Sequence, residues 1–437
     1  MSAVYITVLF VVAIAIAVAG GGPTPPPDPR AARASDARLI ARGAQLSAVG
    51  NCHGCHTRQG GEPYAGGFPM HSPFGTIYST NITPDRETGI GAWSLEVFAR
   101  AMREGIGKDG EHLYPAFPYD RFQRTTDEDI AALYAFVMSL PPVRAETPAN
   151  KLVFPFNVRA GLALWKRLHF NPAQRGQTTP GTLGYGEYLV EGLGHCGSCH
   201  SPRTRLFGED LKRVYDGGEA EGWHAYAIDE YNRAPIPWDT EALAFYLRQG
   251  WHPQHGIARG TMGLVTDDLA AAAPEDVEAM AQYVASLMKA PAPARTARAR
   301  ELLRAPPIDV ADQGDPGATI YDTTCRGCHD GGDMTWDGLP LAWSIGLTGE
   351  SPRNIVNVIL HGIPPVPGGE TTPMMPGYAG ALDDAQVESL VRFMRANLTD
   401  QPPWPEVRKS IAESRGMTPS MLLFPPGGTR FDPAKTP

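Results

Sequence analysis

Three short stretches decide the fold: Cys52-His53-Gly54-Cys55-His56, Cys196-Gly197-Ser198-Cys199-His200 and Cys325-Arg326-Gly327-Cys328-His329. They take up all 6 cysteines of the 437-residue chain, so no thiol is left over for a disulfide. Each is a C-x-x-C-H run, in which two thiols three positions apart reach the two vinyl groups of one porphyrin and the adjacent histidine comes to lie beneath the iron. The competing uses of C-x-x-C are zinc and redox chemistry, but zinc sites pair two such units, and here every copy carries its own histidine. The spacing therefore predicts three covalently attached haem c groups. Cys52, Cys55, Cys196, Cys199, Cys325 and Cys328 would form the thioethers, and His56, His200 and His329 would bind iron.

The length suits roughly three domains, one for each motif. The net charge of −9, with both signs interspersed, argues against a nucleic-acid partner and says nothing further about docking. With 42 prolines and 48 glycines the chain should fold as short helices joined by long loops. The surroundings of the motifs repeat as well. A helix-like lead precedes each one (Gly43 to Leu46, Gly186 to Leu189, Gly317 to Ile320). A middle helix ends at Gly105, Gly250 or Gly362, and an acid-started closing helix follows, from Thr126 to Leu140, Pro274 to Leu287 and Leu382 to Asn397. Along the closing helices Ile130, Leu133 and Phe136 correspond to Val277, Met280 and Tyr283, then to Val387, Leu390 and Phe393, the apolar stripe of a helix packed on a helix. The expected architecture is all-α: three tandem cytochrome c domains over residues 35–145, 180–290 and 310–400, each wrapped around one haem, with a tail over 401–437.

Residues 1–22 read as a signal peptide or an N-terminal membrane anchor. An apolar run from Ala3 ends in Ala17-Val18-Ala19, a signal-peptidase pattern, yet no lysine or arginine precedes it. Gly20 to Arg33 then reads as a tether. The compartment expected is the periplasm, with attachment to the inner membrane.

The sixth ligand sets the chemistry at each iron, because a methionine thioether closes the open position and leaves electron transfer. Met375, directly before Pro376, is expected to fill this role in the third domain, and Met262 in the second. The first domain has Phe117 where a methionine belongs, in the loop His112 to Tyr119. Met102 is the chosen ligand there, since it aligns with Leu247 and Ile359 at the end of the middle helix. His112, Met70 and a five-coordinate iron are the alternatives, and Met102 as plain core is the bland one.

Several longer strings carry a resemblance: Thr76 to Asp85, Thr88-Gly89-Ile90-Gly91, His112 to Tyr119, Phe154-Pro155-Phe156-Asn157 and Gly194 to Arg203. Over nearly its whole length the chain resembles the cytochrome c subunits of bacterial membrane-bound periplasmic dehydrogenases, of the alcohol, gluconate, fructose and aldehyde types. The resemblance implies a non-enzymatic electron-transfer subunit. It would accept electrons from a separate catalytic subunit of molybdenum, PQQ or flavin type and deliver them to ubiquinone or a terminal oxidase. Phe117 departs from the alcohol-dehydrogenase pattern, and with Met102 the chain looks more like subunits paired with molybdenum hydroxylases. The other function class is a peroxidase-like haem enzyme with an open iron in the first domain. It finds no nucleophile–base pair and no second metal motif in the sequence.

Other conspicuous residues have plain readings. His53 and His195 should hydrogen-bond locally, Arg203 should meet a haem propionate or solvent, and Trp93, Trp165, Trp223, Trp238 and Trp343 should pack on porphyrin faces. Residues 150–179 and 290–307 read as surface connections. In the tail, Trp404, Val407 and Ile411 lie on one face of a short helix that could serve a membrane surface or a partner groove, and packing back on the third domain is the preferred reading.

Overall fold

The computed structural model describes residues 36–170, 180–306, 314–330, 338–364 and 374–422. The N-terminal apolar run and the Thr372-Pro373 half of the third ligand loop lie outside the described residues.

The first set of helices comprises α1 (Ala37–Val49), α2 (Cys52–His56), α3 (Leu95–Glu104) and α4 (Asp127–Ser139). Their ends follow from local chemistry. The Asp36 carboxylate accepts the Arg38 N–H at the start of α1, and Ser94 and Thr126 cap α3 and α4 in the same way. Gly105 stops α3 by turning left-handed at φ 60°, a conformation free of steric cost only for glycine. A connecting helix, α5 (Gly161–His169), leads to the second set: α6 (Leu183–Tyr188), α7 (Gly197–His200), α8 (Thr240–Gln249), α9 (Thr261–Leu269) and α10 (Pro274–Met288). The third set is α11 (Pro316–Ile320), α12 (Arg326–His329), α13 (Arg353–His361) and α14 (Asp384–Leu398), the last started by a reciprocal capping box between Asp383 and Gln386.

One crossing recurs three times. Gly43 of α1 lies against the backbone of Ala132 in α4, Gly186 of α6 against Ala279 in α10, and Gly317 of α11 against Ser389 in α14. At each position a Cβ would overlap the partner's carbonyl oxygen, so the lead and closing helices meet only because the side chain is a hydrogen. The closing helices bury the stripe read from the sequence, with Ile130, Leu133, Val277, Met280, Val387, Leu390 and Phe393 all 2% exposed or less.

The all-α expectation requires a correction. The fold is mostly helical but carries short antiparallel strands: β1 (Pro69–Ser72), β2 (Gly75–Tyr78) and β3 (Lys151–Leu152) in one sheet, then the pairs β4 (Gly218–Ala220) with β5 (Trp223–Ala225) and β6 (Trp251–His252) with β7 (Gly256–Ile257). Their physical role is positional. The β1–β2 hairpin, in register from Pro69 opposite Tyr78 to Ser72 opposite Gly75, ends two residues before Thr80. The β4–β5 pair ends one residue before Tyr226. Both residues recur below.

The first two sets share one continuous apolar core, from Leu46 and Phe136 through Leu189 to Val277 and Met280. A partly buried ionic knot joins them. Arg42 meets Asp276 at 2.7 Å and Asp129 at 3.5 Å, while the hydroxyls of Tyr185 and Tyr188 donate to Asp276 and Asp129 at 2.6 Å each. Arg121 likewise joins Glu191 and Glu209. The third set has its own core, and the tail helix α15 (Val407–Arg415) belongs to it, with Trp404, Val407 and Ile411 buried. The Trp404 indole N–H donates to the Gly349 carbonyl at 3.1 Å, and the Arg395 guanidinium lies 4.0 Å from the ring centre.

Candidate haem-binding sites

The three C-x-x-C-H histidines are oriented by the same device. The Nδ1 of His56 lies 2.7 Å from the Thr80 carbonyl oxygen, that of His200 2.6 Å from Tyr226 O, and that of His329 2.8 Å from Leu339 O. A carbonyl only accepts, so each Nδ1 carries the proton and each Nε2 is left with its lone pair, as an iron ligand requires. Burial lowers the pKa of all three rings and so favours the neutral form that binds metal. The two hairpins deliver the Thr80 and Tyr226 carbonyls to this task.

The thiols fit thioether formation better than ionic chemistry. None of the six is in a disulfide. Burial pushes Cys52, Cys55 and Cys196 up to about 12 and Cys325 up to about 11, so these four are not poised as thiolates for zinc or redox exchange. Asp268, Cys52 and Cys199 add to the rise at Cys55, which places the first and second motifs in electrostatic reach of each other. Among the described residues no cluster of three or more His, Cys, Asp or Glu could hold a separate metal ion.

The second and third motifs open into one cavity of about 750 Å³. Its lining contains Cys196, Cys199 and His200 from the second motif and Cys325, Cys328 and His329 from the third. Met262, at the start of α9, and Met375 both line it, as do Met374, Trp223, Trp238 and Trp343. Leu247 and Ile359 line it too, the two residues with which Met102 aligns.

Around the first motif, Met102 is 6% exposed within the shared core. Phe117 packs against the same core, edge-on to Phe122 at 5.2 Å. Met70 lies in β1 beside Phe68 and Leu264. The backbone adds an equivalence that sequence reading missed. Just past the glycine that ends each middle helix, Ile106 pairs with His112, Trp251 with Ile257 and Ile363 with Met375. His112 therefore occupies the ladder position of Met375, and its Nδ1 is buried without a partner. Phe117 follows His112 by the same five positions by which Met262 follows Ile257. The two methionine-bearing loops thus present their thioethers from different registers, and only pairing across the loop reveals it.

His53 and His195 bond locally: His53 Nδ1 lies 3.4 Å from Asp268, and His195 Nε2 lies 3.4 Å from Gly50 O. Arg203 is exposed and donates to the Ser198 carbonyl.

Comparison with known proteins agrees with this chemistry. Residues 40–141 match the model of the cytochrome c family, and residues 312–394 match that of cytochrome c oxidase, cbb3-type, subunit III. The gluconate 2-dehydrogenase cytochrome c subunit of Pantoea cypripedii is 36% identical over 386 residues, covering 84% of this chain and 86% of that one. The chain belongs to the family of dehydrogenase cytochrome c subunits. The quinone alcohol dehydrogenase cytochrome c subunit of Gluconobacter oxydans is 34% identical, with 83% and 79% covered. A nicotinate dehydrogenase subunit of Pseudomonas putida is 42% identical over 87% of this chain, which spans only 32% of that longer relative. As a member of this family the cytochrome subunit transfers electrons, and catalysis resides in separate subunits. The second motif, at 196–200, lies between the two matched stretches.

Proposed function

We propose that this cytochrome subunit carries three haem c groups, one in each of three domains over about 35–145, 180–290 and 310–400. It would relay electrons from a periplasmic dehydrogenase to ubiquinone or a terminal oxidase. The observation that carries the count is the threefold recurrence of a C-x-x-C-H turn whose histidine Nδ1 is held by a backbone carbonyl. Cys52, Cys55, Cys196, Cys199, Cys325 and Cys328 would hold the porphyrins, and His56, His200 and His329 together with Met102, Met262 and Met375 would bind the irons. The chemistry supplied by bound haem is one-electron exchange. The chain's own residues fix the imidazoles, exclude water and close the sixth position.

The stronger identity to the nicotinate dehydrogenase relative favours a catalytic partner resembling that enzyme's over one of the alcohol or gluconate dehydrogenase type, and the pairing of Phe117 with Met102 supports the molybdenum-type partner expected from the sequence. Attachment to the inner membrane is assigned to the N-terminal segment, and among the described residues no helix is long and apolar enough to cross a bilayer. Intact-mass measurement should show three added haems, and the pure chain should be reducible by dithionite but not by nicotinate, alcohols or sugars until a catalytic subunit is added. Substrate-dependent reduction of the pure chain would overturn the reading, because hydride chemistry needs a cofactor that no motif here supports. The peroxidase-like reading rests on Phe117 alone. Carbon monoxide binding to the reduced wild-type chain would favour it.

A further inference from the structure

The connection between the first two sets of helices turns its apolar side outward. Phe154 is 76% exposed, Leu168 59% and Leu164 54%, and the last two stand one turn apart on α5. Phe156 packs tilted against Phe74 with ring centres 3.9 Å apart, Phe207 meets Phe74 edge-on at 4.4 Å, and the Trp165 indole N–H donates to Leu206 O at 3.0 Å. These contacts gather two distant segments, around 153–169 and 204–208, into one surface with Leu206 and Phe207 also exposed. The helix is anchored by its inner side, where the Lys166 ammonium donates to the Gly105 carbonyl at 2.7 Å and caps α3. Leu164 and Leu168 are thus held facing solvent by a fixed helix.

The charge around this surface runs against that of the whole chain. No acidic residue occurs between Glu146 and Glu187, whereas the molecule carries −9 overall. Lys151, Arg167, Arg205 and Lys212 stand exposed at its margins. Protruding phenylalanine and leucine ringed by lysine and arginine is the composition of a surface that seats in the headgroup layer of an anionic bilayer. A protein partner would match the apolar side chains equally well, but a rim whose exposed charges are mainly lysine and arginine, with Glu209 turned inward onto Arg121 and Asp210 the nearby remaining acid, complements a surface of uniform negative charge.

We propose that this surface, centred on Phe154, Leu164 and Leu168, docks the cytochrome subunit on anionic phospholipid. The proposal deepens the membrane attachment assigned above to the N-terminal segment, and it adds a second, side-on contact. The test uses the full haem-loaded chain with vesicles of phosphatidylglycerol and phosphatidylcholine, read by flotation and by hydrogen exchange in peptides covering 151–169 and 202–213. Phosphatidylglycerol vesicles should protect both peptides, and pure phosphatidylcholine should protect them far less. The double variant L164S/L168S, at positions that bury little and leave Lys166 in place, should lose that protection and weaken partitioning by about tenfold or more. Vesicle binding without protection of these peptides would leave the N-terminal attachment standing and overturn the surface. Absence of any binding would overturn both. Protection conferred only by added catalytic subunit would overturn the lipid assignment in favour of a protein interface.

Discussion

The Asp268 carboxylate of α9 accepts the backbone N–H of Gly54 at 3.1 Å, in the middle of the first C-x-x-C-H turn. The helix that begins with Thr261 and Met262 is thereby fastened to the turn that holds the neighbouring site. Burial raises the Asp268 pKa against the opposing pull of His53 and the Gly54 N–H. Asp268→Ala would strand a buried N–H and should cost about 1–3 kcal/mol. Asp268→Asn keeps an acceptor and should cost less. Denaturant unfolding of the haem-loaded protein orders the two, and equal losses would show that Gly54 gains nothing from the contact.

Glu221 should give the protein a pH-dependent weakness. Its carboxylate accepts the His71 N–H at 2.9 and 3.0 Å, yet burial pushes it from the ordinary 4.5 up to about 7. A carboxyl whose folded pKa is raised holds its proton more tightly when folded, so stability falls as pH rises from about 4.5 through 7. The loss is at most about 3 kcal/mol. Glu221→Gln should flatten that part of the stability profile, and profiles of parallel slope would refute the assignment.

Gly43→Ala, Gly186→Ala and Gly317→Ala should each force apart a lead and a closing helix, because the added methyl meets a backbone carbonyl that cannot swing aside. Overpacking of this kind costs about 1–3 kcal/mol. The expected signature is one haem lost or loosened per variant, counted by intact mass and by the melting of each spectral component. Full retention of all three would mean that the crossings tolerate separation.

Met102→Leu keeps the packing volume but removes a thioether, so it should open one iron to carbon monoxide and lower one potential. Met262→Leu and Met375→Leu should do the same at their own sites. Should Met102→Leu leave every iron closed while His112→Ala opens one, the ladder equivalence of His112 with Met375 identifies the true ligand.

The helices and the haem motifs were legible because their signals are local: a fixed cysteine spacing, a capping residue, a 3.6-residue stripe such as Ile130, Leu133 and Phe136. The strands were not, since runs of two to four residues such as Trp251–His252 are too short to show a period. The carbonyls of Thr80, Tyr226 and Leu339 were also invisible, because a backbone oxygen leaves no mark on residue identity. Nor could Arg42 announce its partners, which lie 87 and 234 positions away in the chain. The spacing of Trp404, Val407 and Ile411 suits a membrane surface or a partner groove as well as the third core, and only their burial in that core decides between them.

The common cavity behind Cys196–His200 and Cys325–His329 bears on how the molecule is made. Because residues of both stretches wall one cavity, porphyrins seated as proposed would each border on the other's site, and loss of either would leave its neighbour with part of its wall missing. On that reading Cys328→Ser should loosen the haem of the second site as well as that of the third, seen as faster limited proteolysis around 196–200 than in the wild-type protein.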